Sequence, residues 1–184
     1  EMDNLIHLSK PKSLSEGDIG LSFIGSGNFA SKILIPAFKK TGVSLVAIAS
    51  KNGVSGSIIG KKFGFQQTTT DVEKLLQDEK SKVVVIASKH DSHAKYVKMA
   101  LSAGKHVFVE KPLCLTHDEL CDLEEFYESL SGDDNTPSLM VGYNRRFSPQ
   151  IKKIEELLSS YNDPKSFILT VNAGQIPSGH WLHD

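Results

Sequence analysis

Gly25-x-Gly27-x-x-Ala30 is the first group of residues in this 184-residue chain whose types and spacing suit a definite chemistry. A short apolar run, Ile19 to Ile24, precedes it, and a helical stretch to about Lys40 follows. In such a unit the first glycine permits a tight turn. The second lets the backbone approach a pyrophosphate with no Cβ in the way, and the small Ala30 keeps helix close to strand. The helix N-terminus adds N–H donors and positive potential. Gly25, Ser26, Gly27, Asn28, Phe29 and Ala30 are therefore candidate cofactor-binding residues. The same turn also occurs in α/β proteins without a cofactor, and in methyltransferases that bind S-adenosylmethionine.

The next informative position lies about 20 residues on, where an NAD enzyme offers Asp or Glu to the ribose hydroxyls. Here that place holds Ser50, Lys51 and Asn52, and no Asp or Glu occurs anywhere from Ile19 to Thr70. Lys32, Lys39, Lys40, Lys51, Lys61 and Lys62 all fall in the same stretch. A carboxylate would repel the 2′-phosphate of NADP, whereas a hydroxyl beside an ammonium would hold it. NADP is thus favoured over NAD, with a solvated loop lysine as the plainer reading of Lys51. The missing carboxylate also counts against S-adenosylmethionine.

Glu110-Lys111-Pro112 closes a strand-like run, His106 to Val109. Ligands of open α/β sheets sit at the carboxyl ends of the strands. A lysine there can face a nicotinamide and hydrogen-bond a substrate hydroxyl. Partial burial and a cationic neighbour would bring its pKa toward that of a general base. Pro112 sets the turn and is a candidate for a cis peptide. By chemistry alone, a salt-bridged surface Glu–Lys pair fits equally well.

The elements needed to position these groups are legible. Val43 to Ala49 reads as a second strand, followed by a helix over about Ser55 to Phe63. Thr70-Asp71-Val72-Glu73 fits a capping box for a helix through Gln77, and Thr116-His117-Asp118-Glu119 fits another. Val83 to Ala87, all apolar and mostly β-branched, reads as a strand covered on both faces. His93 to Ala103 reads as a helix stopped by Gly104, and Ser138 to Tyr143 as a strand. Ser148-Pro149 opens the helix Gln150 to Ser159. Ser166 to Asn172 reads as a seventh strand. The alternation predicts a Rossmann-type, doubly wound parallel α/β sheet, in strand order 3-2-1-4-5-6.

Composition narrows the classes. Lys plus Arg number 21 and Asp plus Glu 22, so the chain lacks the basic excess of a nucleic-acid binder. No apolar run approaches the roughly 20 residues of a membrane span, and no signal-peptide pattern opens the chain. The expectation is a soluble cytoplasmic protein. Cys114 and Cys121 make neither a disulfide framework nor a zinc site. His90-x-x-His93 lacks further ligands, so loop and helix-cap roles outweigh a metal pair.

The run Ala100-Leu101-Ser102-Ala103-Gly104-Lys105-His106-Val107-Phe108-Val109-Glu110-Lys111-Pro112-Leu113 closely resembles the glucose–fructose oxidoreductase / inositol dehydrogenase (Gfo/Idh/MocA) family. Three further matches stand in order: the glycine turn; Ile86 to Ala94; and Gly142-Tyr143-Asn144-Arg145-Arg146-Phe147-Ser148-Pro149. The resemblance covers residues 19–184. It implies a two-domain NAD(P)-dependent oxidoreductase acting on a sugar, sugar nucleotide or cyclitol. By that resemblance Lys111 matches the catalytic lysine and Glu110 the carboxylate beside the cofactor. Ser88, Lys89 and His93 match the loop along the cofactor, and Asn144 and Arg145 a segment near the nicotinamide. Ser88-Lys89 replaces the family's frequent Thr-Pro. The Gly-Gly…Asp…His segment of the family's second domain has no counterpart here, and its role is not transferred to His180 or Asp184.

The expected organisation is an arm over 1–18, a dinucleotide-binding domain over 19–148, and the truncated start of a substrate domain over 149–184. The arm also resembles the linker of two-module polysaccharide-cluster oxidoreductases, in which a zinc-type alcohol dehydrogenase precedes this module. Trp181 would stack on a sugar or pack the domain junction. Homo-oligomer formation through the second domain is a further expectation from the family. The alternative outside catalysis is a regulatory nucleotide-binding module.

Overall fold

β-Branched and apolar runs make the centre of a seven-stranded sheet. The computed structural model describes residues 4–10, 13–15, 17–130, 135–170, 172, 174 and 175. The strands are β1 Leu5–His7, β2 Gly20–Ile24, β3 Ser44–Ala49, β4 Gln67–Thr69, β5 Val83–Ile86, β6 His106–Val109 and β7 Leu139–Val141. Their spatial order is β1-β4-β3-β2-β5-β6-β7, all parallel except β1, which pairs antiparallel with β4. Counted from β2, the six parallel strands have the expected order 3-2-1-4-5-6.

Two of these strands carried little sequence signal. β1 lies within the stretch read as an arm, and its next residue, Leu8, packs into the core. β4 is Gln-Thr-Thr, polar yet buried, because each side chain has a partner. The Thr68 hydroxyl donates to Ile48 O at 3.1 Å, Thr69 Oγ1 accepts from Asp71 N at 2.9 Å, and Gln67 Nε2 donates to Asp78 Oδ2 at 2.7 Å.

Strand alternation sorts the core into two layers. On one face Leu21, Phe23, Leu45, Ile48 and Val85 pack with Leu34, Ile35, Phe38 and Ile59. These come from helix α1 (Ile35–Lys39), the turn before it, and helix α2 (Gly53–Phe63). On the other face Ile24, Val46, Val84, Ile86, Val107 and Val109 meet helices α3 (Val72–Gln77), α4 (His93–Ser102) and α5 (His117–Leu130). The turn Ala30–Leu34 is a π-helix, with Ile35 N–H reaching back to Ala30 O. Pro36 follows it, and a proline can neither donate to the fourth residue back nor pack against that carbonyl. The widened turn absorbs the misfit.

Helix starts follow the sequence to within two residues, α2 beginning at Gly53 rather than about Ser55. The N-cap of α3 is Asp71 rather than Thr70, its carboxylate accepting from Glu73 N and Lys74 N. At α5 the capping box is reciprocal: Glu119 N donates to Thr116 Oγ1 at 3.2 Å, and Thr116 N donates to Glu119 Oε2 at 3.3 Å.

The chain divides into two compact units, Glu1–Tyr143 and Asn144–Asp184. The second holds a 3-10 turn, Asn144–Phe147, and helix α6 (Pro149–Leu158), capped by Ser148 Oγ accepting from Ile151 N at 3.3 Å. The seventh strand expected over 166–172 is not found: the described residues 166–170 and 172 carry no strand, and residue 171 lies outside the description. Ile168 is 95% exposed, and among the described residues no strand pairs with this segment. Trp181, His180 and Asp184 also lie outside the described residues. Among the described residues no helix is long and apolar enough to cross a membrane, and no group of three or more His, Cys, Asp or Glu is placed to hold a metal.

Candidate functional site

The direction of winding reverses between β2 and β5, and the glycine turn leaves β2 at that point. Beyond the strand ends the parallel ladder continues through Gly25 N to Ala49 O, Ala87 N to Ile24 O, Glu110 N to Ile86 O and Gly142 N to Val109 O, all 2.8–2.9 Å. The loops after β2, β3, β5, β6 and β7 are thereby held at one edge of the sheet, where α/β proteins bind ligands.

The two turn glycines exist for different reasons. Gly25 has φ +110°, and a Cβ there would strike Ala87 O, lie 2.6 Å from Ala87 C and 2.8 Å from Ser88 N. Conformation and the start of the next loop both require glycine. A Cβ on Gly27 would meet nothing within 4 Å, and its φ is not positive. The fold itself thus gives no reason for glycine at 27. A pyrophosphate over the helix start does, so the turn fits a dinucleotide. Ala30 is buried at 1% exposure, whereas Asn28 and Phe29 are exposed.

Ser50 at the end of β3 is buried. Its hydroxyl donates to Asn52 O at 2.9 Å and accepts from Gly56 N at 3.0 Å, so it holds the first turn of α2. Lys51 and Asn52 are exposed beside it. Ser55, which the sequence did not single out, donates to Asn52 O at 2.9 Å and lies 3.0 Å from Ser26 Oγ. It ties the glycine turn to the start of α2. Its signal was slight: one serine in the first turn of a weakly amphipathic helix.

After β5, Ser88 Oγ lies 2.7 Å from Ser92 Oγ, which donates to Lys89 O at 2.7 Å. His93 opens α4 with its ring fully buried, Nδ1 at 2.7 Å from Pro112 O and Nε2 at 3.2 Å from Ser88 O. Both ring nitrogens therefore face backbone carbonyls of the protein. Ser92 and Gly142 lie within the runs that carry the family resemblance, though neither was singled out as a site residue.

Glu110 follows β6 and is 8% exposed. Gly142 leaves room for it, since a Cβ there would sit 2.9 Å from Glu110 Oε1. Burial raises the Glu110 pKa; the Lys111 N–H, the Lys111 ammonium and His93 oppose the rise. Lys111 follows, joined to Pro112 by a cis peptide. The partial burial expected of Lys111 is not found, because the loop carries its side chain into solvent. Nearby, burial lowers the His90 pKa, as do the charges of His93 and Lys111, while Asp91 acts in the opposite sense. The site thus unites the glycine turn, the Ser50–Ser55 segment, the Ser88–His93 loop and Glu110-Lys111. Asn144 and Arg145 belong to the second unit and are described within it alone.

Comparison with known proteins identifies the fold and the family. Residues 19–133 match the GFO_IDH_MocA family model, an oxidoreductase family with an NAD-binding Rossmann fold. Oxidoreductase P35 of Formosa agariphila is 34% identical over 146 residues, covering 79% of this chain and 44% of that protein. D-xylose 1-dehydrogenase (NADP(+)) 2 of Haloferax volcanii is 29% identical over 137 residues, covering 74% and 41%. The crystal structure of myo-inositol dehydrogenase from Lactobacillus casei, with NAD(H) and myo-inositol, superposes with a TM-score of 0.69 at 24% identity. That match covers 77% of this chain and 41% of the solved one. The chain spans less than half the length of these relatives. It belongs to the GFO/IDH/MocA oxidoreductase family, of which residues 19–133 carry the NAD-binding Rossmann fold.

Proposed function

We propose that this chain is the cofactor-binding part of an NADP-dependent oxidoreductase acting on a carbinol or carbonyl carbon of a sugar, sugar nucleotide or cyclitol. The relatives' activities toward D-xylose and myo-inositol support that substrate class. In this reading residues 19–148 form the cofactor domain, to whose sheet β1 of the leading segment is added, and residues 149–184 belong to the substrate domain. The bound nicotinamide supplies the hydride donor or acceptor. The backbone at Gly25 and Gly27 holds the pyrophosphate. Lys111 exchanges a proton with the substrate hydroxyl through Nζ, beside the buried Glu110. A cytoplasmic location and homo-oligomer formation belong to the same proposal.

The observation that carries the choice of NADP is the absence of any carboxylate from Ile19 to Thr70, with Lys51 exposed at the end of β3. Because the Ser50 hydroxyl is occupied by Asn52 O and Gly56 N, we assign recognition of the 2′-phosphate to Lys51 and the start of α2. Titration with NADPH and NADH side by side, followed by nicotinamide fluorescence, tests this. Tighter binding of NADPH, with the preference lost in Lys51→Ala, is the expected result. A preference for NADH would overturn the cofactor assignment and leave the fold intact.

A further inference from the structure

We propose that His93 is a positioning residue for Lys111, acting through the backbone rather than on the cofactor. The inference rests on the reading of Lys111 as the proton-transferring lysine. An exposed lysine has a long, mobile side chain, so it is aimed chiefly by fixing the backbone from which it springs. On one side stands Glu110, buried at the end of β6. On the other, the next carbonyl, Pro112 O, lies 2.7 Å from His93 Nδ1, a distance at which Nδ1–H donates. The other nitrogen, Nε2, lies 3.2 Å from Ser88 O. One ring therefore spans the loops that follow β5 and β6.

The far loop is itself fixed. Ser92 Oγ donates to Lys89 O, which leaves the Ser88 hydroxyl as donor to Ser92. Packing alone does not account for an imidazole here. A leucine would fill similar volume without the cost of burying two polar nitrogens, and that cost is offset only by the two carbonyls. Nor does direct contact with the cofactor, because the ring has no exposed surface.

The test compares His93→Leu, His93→Gln and the unaltered chain by competitive acetylation. Modification of Lys111 is read by peptide mass spectrometry against Lys32 and Lys61, with melting temperature and NADPH affinity measured in parallel. In His93→Leu the Lys111 rate relative to Lys32 and Lys61 shifts by about fivefold or more, as misplacement of a reactive group would produce. His93→Gln, whose carboxamide donates to Pro112 O, restores it to within about twofold and keeps NADPH affinity. An unchanged relative rate in a folded His93→Leu protein would overturn the proposal. So would loss of NADPH affinity with the Lys111 rate unmoved, which would make the ring a cofactor contact. If His93→Leu does not fold, His93→Asn replaces it, its shorter amide falling short of Pro112 O. Equal Lys111 rates in the Asn and Gln variants would then refute the inference. Failure of the unaltered chain to bind NADPH would instead sink the functional reading, leaving the Lys111 comparison valid.

Discussion

Alanine at Gly27 and alanine at Gly25 are predicted to fail in opposite ways, although both residues belong to one short turn. At Gly25 the φ of +110° is a region that costs an L-residue about 1–3 kcal/mol. A Cβ there also overlaps Ala87 and Ser88 backbone, and relieving such overpacking costs about 1–3 kcal/mol more. The sum, about 2–6 kcal/mol, is a large part of the 5–15 kcal/mol that holds an ordinary domain together. For a chain of this length it lowers Tm by roughly 5–20 °C. At Gly27 a Cβ meets no protein atom within 4 Å and φ is not positive. Stability should stay level or rise by up to about 1 kcal/mol, since alanine restricts the unfolded chain. The added methyl occupies the space assigned to the pyrophosphate, so NADPH affinity falls by about tenfold or more, the equivalent of 1.4 kcal/mol. Thermal melts without cofactor and fluorescence titrations on the same preparations give both quantities. A Gly27→Ala protein that binds NADPH like the parent, or a Gly25→Ala protein that melts like it, would refute the division of roles.

Two further outcomes follow from other buried groups. Burial raises the folded-state pKa of Glu110, so the native state holds that proton more tightly than the unfolded chain does. Its favourable contribution is fully present below the ordinary carboxylate range and is lost as pH rises through the raised value. Glu110→Gln, which resembles the protonated form, should therefore melt higher than the parent near neutral pH. The two proteins should converge as pH falls toward 4, and melting curves across that range check the sign. Lys105 lies at the opposite edge of the sheet, buried, with Nζ donating to Asp78 O at 2.9 Å. Lys105→Ala removes a charge-assisted bond and leaves a cavity, costing about 2–4 kcal/mol. NADPH affinity should be unchanged, as denaturant melts and titration together would show.

Some of this molecule was legible because local rules and the global fold agree. Val83–Ile86 could only be a strand buried on both faces, and the Thr116–Glu119 box formed as written. The glycine turn was equally clear, since Gly25 faces a constraint that no other residue meets. What escaped notice depended on partners remote in sequence. Gln67–Thr69 is a strand because Ile48, Asp71 and Asp78 satisfy its polar groups, not because its residues are apolar. Leu5–His7 is a three-residue edge strand, too short to show a period. Asp71 displaced Thr70 as N-cap because its carboxylate reaches two N–H groups, and the Thr69 hydroxyl accepts from its backbone. Ser50 was read as facing a ligand, yet its hydroxyl turns inward to Gly56. His93 was placed beside the cofactor by resemblance, while its orientation is set by Pro112, 19 residues away.

The most direct test is a crystal structure of the chain grown with NADPH. The account predicts pyrophosphate density against the backbone of Gly27, the 2′-phosphate beside Lys51, and the nicotinamide ring on the Lys111 side of the sheet edge. Nucleotide density elsewhere on the molecule, with the glycine turn empty, would contradict it.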